Sequence, residues 1–441
     1  MFSASRDDSN RSAEERLLVI DTTTDYIDFI CRRYPGQALF VTDPARRRDA
    51  REPAPDTRSE LLVEMAEPGP VLESVRQHLE HYGIKAAGIT CFDCEALWLT
   101  ALLAREFGLP FPSERAVLTS RNKYLSKRLW QQAGLDCPAV AQLEQPEEAA
   151  AFCREQGKII LKPLCGSGSE LLFVCSTPLE ALAAFSVIRQ RLKEMEGDRL
   201  YADQRSGAVA LEPSRLIVAE EFVEGIEFSC DFLIKGAELT MIRVARKWLK
   251  PDQAPGTIMA YQLPGELPPF LPLAKLRQQL FSAARALGVD QAICMADLIV
   301  SEERIMLLEL TPRPGGDCLP PLLRVACGVD SIGLALDAAR GCPLQLPAPE
   351  QQRQLVGLRL FAPRPGVIAS IDTTSLENDP RVLEVELVRH PGDQILFPPV
   401  AYASRVLGHA VFQPCDAKQV QQESLELLDT LVVQYLGEES V

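Results

Sequence analysis

The chain has 441 residues, 46% hydrophobic and 24% charged, enough to bury more than one core and to form two or three domains. Its net charge of -15, from 46 Lys+Arg against 61 Asp+Glu, argues against a broad basic face for nucleic acid. No stretch reaches the roughly 18 uninterrupted apolar residues that span a bilayer, and the polar opening MFSASRDDSNRSAEER lacks a signal-peptide core, so a cytoplasmic protein with no membrane partner is expected. The 13 cysteines show no pair of CxxC units and read as reduced, mostly buried thiols. Cys91 and Cys94 form the single CxxC, but zinc would need two more ligands.

Residues 1–14 read as a loose polar tail. From Leu17, short apolar runs (LLVI, ALFVTD, AAGIT) alternate with helical patterns (YIDFICRRY, VLESVRQHLEHYG, ALWLTALLAREFG), which predicts a doubly wound parallel sheet over residues 15–115. The turn after LLVI is DTTTDY, without GxGxxG, so no dinucleotide fingerprint is present. GLPFPSERAV has the punctuation of a connection, followed by one helix through SRNKYLSKRLWQQAG that ends at Gly134. Next come a helix (PEEAAAFCREQG), the strand KIILKPL, the loop CGSGSE, the strand LLFVC and the helix PLEALAAFSVIRQRLKEM. Glu196 to Ser214 reads as a surface insertion. RLIVAEEFV, GIEFSCDFLI and LTMIRVARKWL are expected as successive strands of one antiparallel sheet, and Trp248 to Leu263 as a loop. After the helix LAKLRQQLFSAARALG and the tract CMADLIVSEERIMLLELTPRPGGD, a third block from Gln351 alternates short strands and closes in the helix AKQVQQESLELLDTLVVQYL.

The acidic tract carries the strongest chemistry. Asp297 opens one apolar strand and Glu309 lies near the end of the next, and a turn at SEER would set them side by side. Carboxylates bracketed by MADLIV and IMLLEL are costly to bury unless a cation meets them, which points to Mg2+ and a polyphosphate, with Mn2+ an alternative. Lys162, inside IILKPL, would have to desolvate its ammonium and is expected to leave the strand toward a phosphate. Gly166, Ser167, Gly168 and Ser169 form a loop able to offer N–H donors to phosphate oxygens, although GSGS alone is a common flexible turn and no GxxxxGK[ST] is present. Lys123 and Lys127 stand one helical turn apart, and one of the two could simply cover the surface. Glu220 and Glu221 precede an apolar Phe222–Val223 hinge suited to an adenine edge, and Glu227 beyond it could accept ribose hydroxyls. An edge strand with solvated acids would look the same.

Taken in order, SRNKYLSK, IILKPLCGSGSELL, VAEEFVEGIEFSCD and ADLIVSEERIMLLELTPRPGGD resemble the ATP-grasp superfamily, specifically its carboxylate-amine ligases, from about Leu17 to the C-terminus. The resemblance implies an α/β protein with three parts. These are an N-terminal Rossmann-like domain (15–115), a central two-lobed α+β ATP-grasp domain (116–348, with a lid lobe at about 157–225) and a C-terminal α+β domain (349–441) similar to that of L-amino-acid ligases. It further implies that Lys123 and Lys162 hold nucleotide phosphates under the Gly166 to Ser169 loop, that Glu220 to Val223 receive adenine, and that Glu227 holds ribose. Asp297 and Glu309 would bind Mg2+, and Arg313 would face the transferred phosphoryl group. Where many members carry Asn, this chain has Thr311, a different oxygen donor for a second metal.

The implied reaction is ADP-forming ligation through an acyl phosphate, joining a small carboxylate and an amine, with an amino acid as one partner. Lys247 is a candidate for reaching the phosphate, in competition with Arg246 and Lys250, and Gly315 and Gly316 could bring main-chain N–H groups to the oxyanion. His78, His81, His390 and His409 fall outside the motifs, so no histidine base is expected. A bicarbonate-using carboxylase and a non-catalytic ATP-binding scaffold are the alternatives, and a homodimer is expected by family analogy alone.

Overall fold

The structure is a computed structural model describing residues 14–251, 253, 256–347 and 352–437. Of the tail expected at 1–14, residues 1–13 lie outside the described residues, and Glu14 opens the first strand. Two compact units are formed, Met1–Phe111 with Ala335–Pro343, and Pro112–Leu334 with Leu344–Val441.

In the first unit β1 (Glu14–Ile20), β2 (Ala38–Thr42), β3 (Glu60–Leu62) and β4 (Ile84–Thr90) make a parallel sheet in the order β3-β2-β1-β4. Leu17 to Ile20 are all buried rather than alternating, as expected when both faces of a parallel sheet are covered. Three residues of β3 carry too little period to stand out in the sequence. Gly88 admits the 335–343 segment. Ala339 O lies 2.2 Å from where a Cβ at Gly88 would stand, so a side chain there would collide with backbone.

The second unit begins with two helices where one was expected. Glu114–Arg121 is capped by Ser113, and Asn122 then caps Lys123–Gln132 by accepting from the N–H groups of Tyr124 and Leu125. A short side chain that competes for backbone donors ends one helix and begins the next. A small antiparallel sheet follows, built from β5 (Val140–Leu143), β6 (Ile159–Pro163) and β7 (Phe173–Cys175), with Pro146–Gln156 and Pro178–Glu194 as its helices. Residues 196–214, expected as a surface insertion, carry structure of their own. They hold the hairpin β8 (Gln204–Ser206) and β9 (Val209–Leu211), and Arg121 clamps them by donating to Gln204 Oε1 at 2.8 Å and Leu200 O at 2.8 Å. Next, β10 (Ile217–Glu221) enters the small sheet, in the order β5-β10-β6-β7, so it is not a neighbour of the strands that follow it.

The large sheet contains β11 (Ile226–Lys235), β12 (Glu238–Leu249), β13 (Ile258–Leu263), β14 (Gln291–Ser301), β15 (Arg304–Thr311) and β16 (Leu355–Phe361). The remaining strands are β17 (Gly366–Asp372), β18 (Val382–Leu387), β19 (Gln394–Ile395), β20 (Val406–Phe412) and β21 (Val432–Tyr435). Eight of them run β15-β14-β11-β12-β13-β16-β20-β18, and β19-β17-β21 form a small sheet. The large sheet therefore crosses the boundary expected at residue 348. Two local expectations also change. Most of Trp248 to Leu263 is strand, and the C-terminal helix spans only Val420–Leu428 before β21.

Period-2 alternation gives the large sheet one apolar and one polar face. Phe228, Cys230, Phe232 and Ile234 bury against Trp130 and the helix Leu273–Ala286. Between them Glu227, Ser229 and Asp231 turn to the other face, where the site lies. No single helix among the described residues is long and apolar enough to cross a membrane.

Candidate active site

The turn between β14 and β15 falls at Glu302 and Glu303, both with positive φ (45° and 66°), the handedness that follows strand twist in a tight hairpin. It fixes a register in which Asp297 pairs with Glu309, as the spacing predicted. Lys247 of β12 reaches over to Asp297 Oδ2 at 2.5 Å and stands 4.0 Å from Glu227 Oε2. Burial disfavours its charge, but Asp297 and Glu227 outweigh that and raise the ammonium above its ordinary value. Asp297 Oδ1 is buried and has no hydrogen-bond partner. A carboxylate oxygen left bare beside a second carboxylate fits a divalent cation, which supplies the missing contact and offsets the repulsion. Thr311 Oγ1 donates to Glu309 Oε1 at 3.4 Å, so its hydroxyl adjoins the proposed ligand set.

Three lysines face these acids. Lys123, the first residue of its helix, donates Nζ to Gly166 O at 3.3 Å and lies 3.5 Å from Glu309 Oε2. Lys127 does not cover the surface. It is fully buried, with Nζ 2.7 Å from Leu308 O and 2.7 Å from Glu220 Oε1. Lys162 points to the other oxygen of Glu220, at 2.8 Å. Burial, with repulsion from Lys127 and Lys123 and against the pull of Glu220, brings the Lys162 ammonium down to about 8. Burial alone would raise Glu220, and the two lysines hold it below the usual carboxylate range. Glu309 is likewise lowered, because Lys123, Lys162, Lys127 and Arg313 together overcome its burial. Glu227 goes the other way: burial lifts it, Lys247 opposes this and Asp297 adds to it.

The hinge is more constrained than its sequence suggested. Glu220 spends its side chain on lysines. The Glu221 N–H donates to Ala139 O at 2.9 Å, and the Phe222 N–H to Lys158 O at 3.1 Å. Val223 is the first hinge residue beyond these bonds, and Lys158 Nζ caps the Phe222 ring 3.6 Å from its centroid. The glycine loop crosses the left-handed region at Gly168 and Ser169 (φ 63° and 59°), and Ser169 Oγ donates to Gly256 O at 3.0 Å.

Asp231 and Arg243 went unnoticed in the sequence. They form a buried bidentate pair at 2.9 and 3.0 Å, and Arg243 also donates to Ser229 O at 2.9 Å. Burial pushes the Asp231 carboxyl up, with Arg243 opposing. The Gly315 N–H points to Asp231, at 3.3 Å from each oxygen, rather than into an oxyanion site, and a Cβ on Gly315 would stand 2.5 Å from Arg243 Nη2. The pair thus holds the segment after Arg313, whose own Nη1 donates to Pro314 O at 2.8 Å. Ionisable residues embedded in FSCDFL and MIRVARK were the available signal.

Residues 156–321 match the model of the ATP-grasp domain. The chain is 26% identical over 291 residues to carnosine synthase 1 of Homo sapiens, covering 62% of this chain and 34% of that protein. It is 25% identical over 265 residues to D-alanine–D-alanine ligase of Ralstonia pickettii, covering 56% of this chain and 71% of the ligase. Thus it spans about a third of the length of the carnosine synthase it matches. Among solved structures, the L-amino acid ligase from Bacillus licheniformis superposes with a TM-score of 0.74 at 18% identity, over 97% of this chain and 100% of that one. Residues 156–321 of this chain thus match an ATP-grasp domain, and its fold is similar to that of the L-amino acid ligase.

Proposed function

We propose that the chain is an ATP-dependent, ADP-forming ligase that activates a carboxylate as its acyl phosphate and joins it to an amine, with an amino acid among its substrates. The observation that carries this reading is the bare Asp297 Oδ1 beside Glu309, the carboxylate that Lys123 approaches to 3.5 Å. Asp297 and Glu309, with Thr311 adjoining, would hold Mg2+, which when bound neutralises charge on the phosphoryl oxygens.

Lys123 and Lys162 bind the phosphates. When a triphosphate arrives, Lys162 exchanges part of its contact with Glu220 for a phosphate oxygen, and Lys127 keeps Glu220 compensated. Gly166 to Ser169 close over the phosphates, latched by the Ser169 hydroxyl. Val223 offers its backbone to adenine, Phe222 lends apolar surface, and Glu227 accepts from ribose. Arg313 presents its planar fork first to the phosphoryl oxygens and then to the oxyanion formed when the amine attacks. Lys247 offsets the charge of Asp297 until nucleotide is bound.

The test is Mg2+-dependent release of ADP and phosphate across a panel of amino acids. Release requiring both a carboxylate and an amine supports ligation. Dependence on bicarbonate would replace it with carboxylation, and ATP binding without release under any pairing would leave a scaffold.

A further inference from the structure

Beyond Arg313 the polar face of the large sheet gathers two more arginines around one ring. Arg359 of β16 and Arg405, just before β20, lie 5.3 and 5.6 Å from the centroid of Phe361. Arg359 pairs with Asp317 Oδ2 at 3.1 Å and donates to Ile258 O at 3.1 Å. Arg405 is only 6% exposed, and its contacts are neutral: Nη2 donates to Thr257 Oγ1 at 2.8 Å, Nη1 to Gln253 Oε1 at 3.2 Å, and Nε finds no acceptor. Among the described residues no carboxylate lies within ion-pair distance of it.

Asp317, itself partly exposed, therefore serves Arg359 alone, and the buried Arg405 beside them has no counter-charge among the described residues. Burial and the repulsion of Arg359 both work against the charge on Arg405. A guanidinium does not give up its proton at ordinary pH, so an anion brought to Arg405 would supply the counter-charge it lacks. The place is next to the chemistry. Asp317 follows Arg313 by four residues, and the buried Tyr261 feels the charges of both Asp317 and Asp297. Thr257 adjoins Gly256, which receives the Ser169 hydroxyl of the glycine loop.

We propose that Arg405 and Arg359 seat a substrate carboxylate that is not the one activated, so that the enzyme selects a substrate retaining a free carboxylate. The planar forks suit two-point contact with such a group, and the Thr257 hydroxyl supplies a further donor. This deepens the ligase reading and rests on it for the identity of the site, while the seat itself is measurable without turnover.

Binding of glutarate and of its monoamide to the full chain, with MgADP present, is compared by calorimetry. The unmutated protein is expected to prefer glutarate by roughly tenfold to a hundredfold, the factor for one charged hydrogen-bonded contact. R405M should erase the preference and R405K restore part of it, with each variant's melting transition recorded. Equal affinity for the two compounds on the unmutated protein sinks the seat, whatever the variants do, as does a preference surviving in a folded R405M. Failure of the ligase reading looks different: glutarate is preferred, yet no pairing of acid and amine releases ADP. Conversely, ADP release without the preference removes the seat and leaves the ligase.

Discussion

Lys162 Nζ lies 2.8 Å from Glu220 Oε2 across neighbouring strands of the small sheet, inside a cluster whose other cation, Lys127, holds the second oxygen of the same carboxylate. Nucleotide phosphates arriving here enter a site whose charges are already partnered. Binding then becomes a trade of one anion for another.

That trade has a proton signature. Free Lys162 sits at about 8 against 10.5 unperturbed, so at pH 8.5 it is mostly neutral. A triphosphate beside it raises the pKa again, and binding of MgATP at pH 8.5 should take up a proton. Calorimetry in buffers of different ionisation enthalpy reads this directly. K162M should lose the uptake, and an unchanged value in K162M would exclude Lys162 as its source.

The same lysine tilts stability. Its folded pKa is depressed below the unfolded one, so its favourable contribution is fully present above 10.5 and is lost as pH falls through about 8. Glu220 is also depressed, so its contribution holds above the ordinary glutamate value and fades as acid protonates it. E220Q should cost about 3–5 kcal/mol, because it leaves Lys127 buried without its counter-charge. Urea unfolding at neutral pH is the measurement, and a loss below about 1 kcal/mol would show that the cluster carries no such weight.

Glu309→Gln keeps the size of the side chain and removes its charge. Turnover should fall on the order of 100-fold or more, the usual scale for deleting one preorganised electrostatic group. The melting temperature should change little, because the side chain is about a quarter exposed. Retained ADP release at ordinary Mg2+ concentrations would end the metal assignment.

For Asp231 and Arg243 the two single variants and the double variant should separate stability from activity. D231N leaves Arg243 unpaired and is expected to cost about 3–5 kcal/mol. D231L combined with R243M should recover much of that stability, as apolar replacements of buried pairs do. It should not recover turnover, because Gly315 loses its anchor and Arg313 its position. A fully active double variant would show that the pair plays no part in holding Arg313.

The parts legible in the sequence were those written in local pattern. Asp297 and Glu309 stood out because a strand of apolar residues has no reason to hold an acid, and the SEER turn fixed their register. Lys162 was flagged by the same logic, yet its resting partner was not, because Glu220 comes from a strand far along the chain. Lys127 looked like surface at helical spacing and proved fully buried. β10 was assigned to the wrong sheet, since three consecutive strand-like segments give no hint that the first pairs backward with β5 and β6. The Arg121 clamp on residues 196–214 is likewise a long-range contact that no period announces.

The shared large sheet has a practical consequence. β13 lends one edge to β12, on the nucleotide side, and the other to β16, in the block after residue 348. Trimming the chain at that point would leave β13 with a bare row of backbone donors and acceptors, an invitation to self-association. Truncates ending there would report on aggregation before they reported on catalysis.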